Sequence, residues 1–202
     1  MPAINPDLHG NAPDTAPVAL VLIDTINDLE FEGGEQLLAH ALPAAERMAA
    51  LKRAARAAGI PVIYANDNFG RWRSDFREVI AHCLDDGVRG EPVVRLLRPE
   101  PDDYFVLKPK HSAFFATTLE TLLGYLGTRT LVLAGITGDM CVLFTASDAY
   151  MRDYRLYVPS DCTVSISAGE NEQALGYMRR VLKADTTPST ELDLAALAEE
   201  DA

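Results

Sequence analysis

Short apolar runs alternate along this chain with longer stretches in which apolar residues return every three or four positions. Residues 17–24 (PVALVLID) form an unbroken apolar run closed by a carboxylate, the pattern of a strand covered on both faces in a parallel sheet. Over residues 35–58 the apolar positions fall at helical spacing among Ala, Arg, Glu and Lys. Gly59 and Pro61 stop that helix as an extended run opens at 60–64. The alternation continues with helical spacing at 74–85, an extended run at 104–107, a helix at 117–126 and a strong strand at 130–134 (TLVLA). A helix at 141–152, a short strand at 156–158 and an amphipathic helix at 169–182 complete the series. This order predicts an α/β fold, a three-layer α-β-α sandwich with a central, mostly parallel sheet. Residues 1–15 read as a flexible leader, 16–186 as one domain, and 187–202 as a loose acidic tail.

Composition narrows the partners. Of the 202 residues, 48% are apolar and 24% charged, the balance of a globular protein with a conventional core. The net charge of −12 is spread along the chain and the longest basic run is the pair Arg179 and Arg180, so no basic stripe invites nucleic acid. The apolar runs are too short to span a bilayer. No basic start followed by an apolar block opens the sequence, so the cytoplasm is the expected compartment. Three cysteines, Cys83, Cys141 and Cys162, are too few and odd in number for a disulfide framework.

Sites in such sheets form outside the carboxyl ends of the strands, and three reactive residues fall there. Asp24 ends the first strand, Lys108 ends the strand at 104–107, and Cys141 follows TLVLA across a Gly-containing turn. Read singly, each has a structural alternative: a turn carboxylate, a solvated loop charge and a small buried core residue. Read together they supply a nucleophile, a base and a cation. Cys141, at the expected start of a helix, is in a position that favours thiolate.

The segments LIDTIND, LKPKHSAFF and LVLAGITGDMCVLFTASDAY, in this order, resemble the three signature segments of the isochorismatase-like cysteine hydrolases. The third is the most specific. The resemblance implies a Rossmann-like, isochorismatase-like fold, with Asp24, Lys108 and Cys141 as a catalytic triad. It also implies a cis peptide between Ile136 and Thr137, and an oxyanion site from the N–H groups of Thr137 and Cys141. Homodimers or homotetramers are common among such relatives.

The chain also departs from that pattern. Nicotinamidases of the superfamily hold a metal through an Asp-x-His motif, whereas Asn68 and Phe69 follow Asp67 here, and the four histidines are scattered. Neither metal nor cofactor is expected. Ile26 stands where many relatives have Gln, which predicts an apolar pocket wall. Asn68, Phe69, Arg71 and Trp72 of NDNFGRW are candidate substrate contacts, or else a helix-start loop capped by Ser74 or Asp75. His111 is the one histidine near enough to Lys108 to approach the site, and Cys83 reads as exposed. The expected function is hydrolysis of a C–N bond in a small amide, ureide or carbamoyl compound through a thioester. The alternatives are isochorismatase-type vinyl ether hydrolysis with Asp24 as general acid, and a non-catalytic binding protein on the same scaffold.

Overall fold

The computed structural model describes residues 15–69 and 75–200. Six strands, β1 (Val18–Ile23), β2 (Val62–Asp67), β3 (Tyr104–Lys108), β4 (Thr130–Ile136), β5 (Arg155–Tyr157) and β6 (Thr163–Val164), form one sheet in the order β3-β2-β1-β4-β5. All its pairings are parallel, and β6 continues the outer edge of β4 beyond β5. The two-residue period of a strand explains the layering. Val18, Leu20 and Leu22 of β1 face one apolar core, while Ala19, Val21 and Ile23 face the other.

Helices cover both faces. On the first lie α1 (Gly34–Ala57), α2 (Phe76–Asp85), α3 (Glu91–Leu96) and α7 (Leu194–Glu200); on the second lie α4 (Leu119–Leu126), α5 (Leu143–Tyr150) and α6 (Ala168–Val181). Along α1 the buried Leu37, Ala41, Ala44, Met48, Leu51 and Ala55 make the stripe that packs on the sheet. The Asp75 carboxylate caps α2 by accepting from the N–H groups of Arg77 and Glu78. Ser167 caps α6 in the same manner through the N–H of Glu170.

Two expectations need correction. The tail is not loose over its described part: α7 buries Leu194 and Leu197 in the core shared with α1. Cys83 is buried rather than exposed, because it shares the inward face of α2 with Phe76 and Val79. Among the described residues, no helix is long and apolar enough to cross a membrane.

The strand order reverses at β1, with β2 on one side and β4 on the other. Chain ends leaving β1 and β4 diverge there, at the carboxyl edge where sites form in such sheets.

Candidate active site

Asp24 is the first residue beyond β1. Its backbone N–H donates to Ala65 O at 2.9 Å, and its φ of 51° is in the left-handed region, which aspartate tolerates better than most residues. The buried carboxylate has three hydrogen-bond partners, one of them the Cys141 thiol. Asp67 N–H, at the end of β2, reaches Oδ1 at 2.7 Å, and Lys108 Nζ lies 2.8 Å from Oδ2. Lys108 closes β3 opposite Asp67 in the parallel register and is fully buried. Its ammonium also donates to Lys110 O at 3.1 Å and faces Cys141 Sγ at 3.5 Å. Three acceptors therefore match its three protons, the condition for keeping a lysine charge out of water.

Cys141 arrives from β4. The peptide between Ile136 and Thr137 is cis. The chain then winds through a π turn, Gly138–Val142, before α5 begins at Leu143. Met140 and Val142 both donate to Thr137 O, at 3.2 and 3.1 Å. Cys141 is therefore in the wider turn ahead of the α-helix, not in its first turn as the spacing suggested. Below it, Thr145 Oγ1 donates to Cys141 O at 2.7 Å and accepts from Ala113 N–H at 3.0 Å. Ser112 donates to Asp148 at 2.5 Å. These bonds pin the loop after β3 onto α5. His111 is thereby set with Nδ1 3.7 Å from Cys141 Sγ and its ring 5.4 Å from that of Phe144.

The electrostatics correct one expectation. Burial pushes the Cys141 thiol up to about 12, the Asp24 carboxylate pushes the same way, and Lys108 opposes both. The resting sulfur therefore keeps its proton at neutral pH. Desolvation and a neighbouring anion outweigh the cation and the turn that were expected to favour thiolate. Burial also raises Asp24, against the pull of Lys108. For Lys108, burial acts downward, but Asp24 and Cys141 reverse it and the net direction is up.

Other predicted contacts lie elsewhere. Ile26 has no exposed surface and packs in the α1-side core, so it forms no pocket wall; its carbonyl accepts from Asn66 Nδ2 at 2.7 Å. Asn68 is buried, and its N–H ties β2 to Lys108 O at 3.2 Å. Phe69 is exposed, at φ 53°. Arg71 and Trp72 lie outside the described residues. The residues at the Asp-x-His position do not fit a metal: Asp67 Oδ1 accepts from the Phe69 N–H at 2.6 Å, and a phenyl ring stands where the imidazole would be. Among the described residues, no group of three or more His, Cys, Asp or Glu side chains is arranged to hold an ion. The Asp67 N–H is a partner that sequence reasoning missed, since a backbone donor leaves no mark on residue identity.

Comparison with known proteins agrees with this architecture. The Isochorismatase domain family model matches residues 18–189. The uncharacterized isochorismatase family protein YaaI of Bacillus subtilis is 41% identical over 177 residues, covering 88% of this chain and 97% of that protein. Ureidoacrylate amidohydrolase RutB of Methylorubrum extorquens is 31% identical over 178 residues, covering 74% and 71%. The crystal structure of N-carbamoylsarcosine amidase from Thermoplasma acidophilum superposes with a TM-score of 0.66 at 29% identity, covering 87% and 98%. With the family model spanning residues 18–189 and a relative 41% identical over nearly its whole length, this chain belongs to the isochorismatase family of hydrolases.

Proposed function

We propose that this protein is a cysteine-dependent hydrolase that cleaves a C–N bond of a small amide, ureide or carbamoyl compound through a thioester on Cys141. The observation that carries the reading is the buried Asp24–Lys108 pair, 2.8 Å apart, with the Cys141 sulfur 3.5 Å from the same ammonium. Asp24 takes the thiol proton as Sγ attacks the carbonyl carbon, and the N–H groups of Thr137 and Cys141 carry the oxyanion. As the intermediate collapses the C–N bond breaks, and Asp24 passes that proton to the departing ammonia or amine. Water, deprotonated by Asp24, then splits the thioester. The proton from that water returns to the sulfur through Asp24. Lys108 keeps the carboxylate paired and oriented throughout. A thiol that rests protonated suits this cycle, because the proton needed by a poor leaving group is already in the site.

Carbamoyl and ureido compounds come first among substrates because two similar proteins are named for such groups. His111 is the substrate-facing residue with the best support, being close to the sulfur and backed by Phe144. The exposed Phe144, Tyr150 and Met151 suit a homodimer or homotetramer, and three free cysteines suit a reducing compartment such as the cytoplasm.

The test is a panel of small amides, ureido acids and N-carbamoyl amino acids, with product read by mass spectrometry and the acylated protein by intact mass. We expect ammonia or amine release and an acyl adduct on Cys141, both absent in Cys141→Ala. A second reading draws on the burial that raises Asp24, a property of a general acid acting on a vinyl ether. It predicts turnover that survives Cys141→Ala and dies in Asp24→Asn, an outcome that would sink the thioester route.

A further inference from the structure

The turn that carries Cys141 is held from behind by a line of hydrogen bonds for which the proposed chemistry has no use. Asp139 N–H donates to Ser165 Oγ at 3.1 Å. The Ser165 hydroxyl donates to Asn171 Oδ1 at 3.2 Å, and Asn171 Nδ2 donates to Thr163 O at 2.8 Å. The direction is determined throughout. A serine hydroxyl has one proton to give, and the Asn171 amide must turn its NH2 to the Thr163 carbonyl. The line joins three elements: the Gly138–Val142 turn, β6 and α6.

Gly138 is the position that lets them meet. A Cβ there would lie 2.3 Å from Asn171 Oδ1 and 2.9 Å from Thr163 Cγ2, so any larger residue forces the amide off the turn. Ser165 is almost wholly buried, which leaves Asp139 N–H no ready substitute for its acceptor. Asn171, by contrast, is half-buried on the flank of α6, and its truncation removes little core.

We infer that Ser165 and Asn171 are positioning residues for acyl transfer, which fix the Cys141 turn so that its Thr137 and Cys141 N–H groups meet the developing oxyanion. Asp139, the group they hold, lies midway between those two donors in the chain. The inference rests on the reading of Cys141 as an acyl-transfer nucleophile. Oxyanion stabilisation depends on donors set in place before the reaction, and small displacements cost it dearly. Direct alkylation of the same sulfur develops no oxyanion and does not need those donors. The two reactions of one atom therefore separate positioning of the N–H groups from general integrity of the site.

The experiment measures both on the full chain. Acylation is followed with p-nitrophenyl acetate: the Sγ–carbonyl bond forms, the ester C–O bond breaks, p-nitrophenolate leaves and the thiol proton passes to Asp24. Alkylation is followed with iodoacetamide by intact mass. We expect Ser165→Ala and Asn171→Ala to slow acylation by roughly tenfold or more, on the scale of a weakened oxyanion donor, with alkylation within about twofold of wild type. Glu172→Ala, on the same turn of α6 and exposed, leaves both rates unchanged. Gly138→Ala also slows acylation, and by less in an Asn171→Ala background, where the amide it strikes is gone. If Asn171→Ala fails to fold, Ser165→Ala, which removes a single hydroxyl, decides the matter. Acylation and alkylation falling in step, or acylation left intact in both variants, overturns the inference while the nucleophile stands. A wild type that is alkylated but never acylated overturns the proposed function, and this inference with it.

Discussion

Two lysine ammonium groups are taken out of water in this fold, and they have different company. Lys108 ends β3 and donates to the Asp24 carboxylate, the Lys110 carbonyl and the Cys141 sulfur. Lys52, on α1, donates only to oxygen: Asp103 at 2.7 Å, Tyr64 OH and Arg98 O at 3.0 Å each, and Glu100 at 3.5 Å, and it lies over the Tyr64 ring. Those oxygens are themselves engaged. Tyr64 donates to Leu97 O at 2.7 Å, and Asp103 also accepts from Arg56 at 2.8 Å and from Glu100 N–H at 2.7 Å. Burial and pairing are common to both lysines, so neither marks a site. What separates them is the Cys141 sulfur, which neighbours Lys108 at the carboxyl ends of the strands. The Lys52 cluster clamps the segment before β3 onto α1; the Lys108 cluster brings a carboxylate and a thiol to one ammonium, which the proposed function uses to move a proton.

The sharpest way to break this contrast is to remove each cation in turn. Lys108→Met and Cys141→Ala should each lower kcat/KM on any substrate found by about a thousandfold or more, as losses from a cooperating set do, with the fold retained by circular dichroism. Lys52→Met should leave kcat/KM per folded molecule unchanged. It should nonetheless lower unfolding free energy by about 1–3 kcal/mol in urea titrations, the cost of removing one donor from a buried carboxylate that keeps Arg56 and the Glu100 N–H. A Lys52→Met variant with full stability and no activity would reverse the assignment of roles.

A smaller effect tests the balance of charge at the sulfur. The folded-state thiol stands above its ordinary 9.0, at about 12. Cys141 therefore contributes stability that is complete below pH 9.0 and is lost as pH climbs toward about 12. Cys141→Ala should show a shallower loss across that window. Asp24 pushes the thiol up and Lys108 pulls it down, so thiolate absorbance should appear at lower pH in Asp24→Asn and at higher pH in Lys108→Met. Shifts in the same direction in both variants would refute the arrangement of charges described here.

The layered sheet was legible because its strands are buried on both faces, which leaves unbroken apolar runs at 17–24 and 130–134 that few other structures require. Elements with fewer residues to carry a pattern were not. β6 has two residues and α3 has six with Pro92 near its start, too short for any period to emerge. In α7 the acidic composition hides two inward leucines three positions apart. Cys83 could have been found, since Phe76, Val79 and Cys83 fall at i, i+3 and i+7 of one helical face. At the site, the three residue types were visible at strand ends. The direction of the Cys141 shift was not, because desolvation depends on what packs around the turn. Ile26 was misread for the same reason: three residues beyond a strand end, a side chain can point to solvent or into the core, and only packing chooses.

Asp24, Lys108 and Cys141 come from the end of β1, from β3 and from the segment after β4, so they are joined only when strands far apart in the chain have paired. Contacts of such long range carry most of the loop-closure entropy and form late in folding. A chain caught before the sheet closes holds Cys141 as an ordinary thiol, with neither carboxylate nor ammonium beside it. On the proposed function its chemistry is therefore switched on by completion of the fold, and the rate at which an acyl donor labels that one sulfur during refolding would serve as a clock for the last step of assembly.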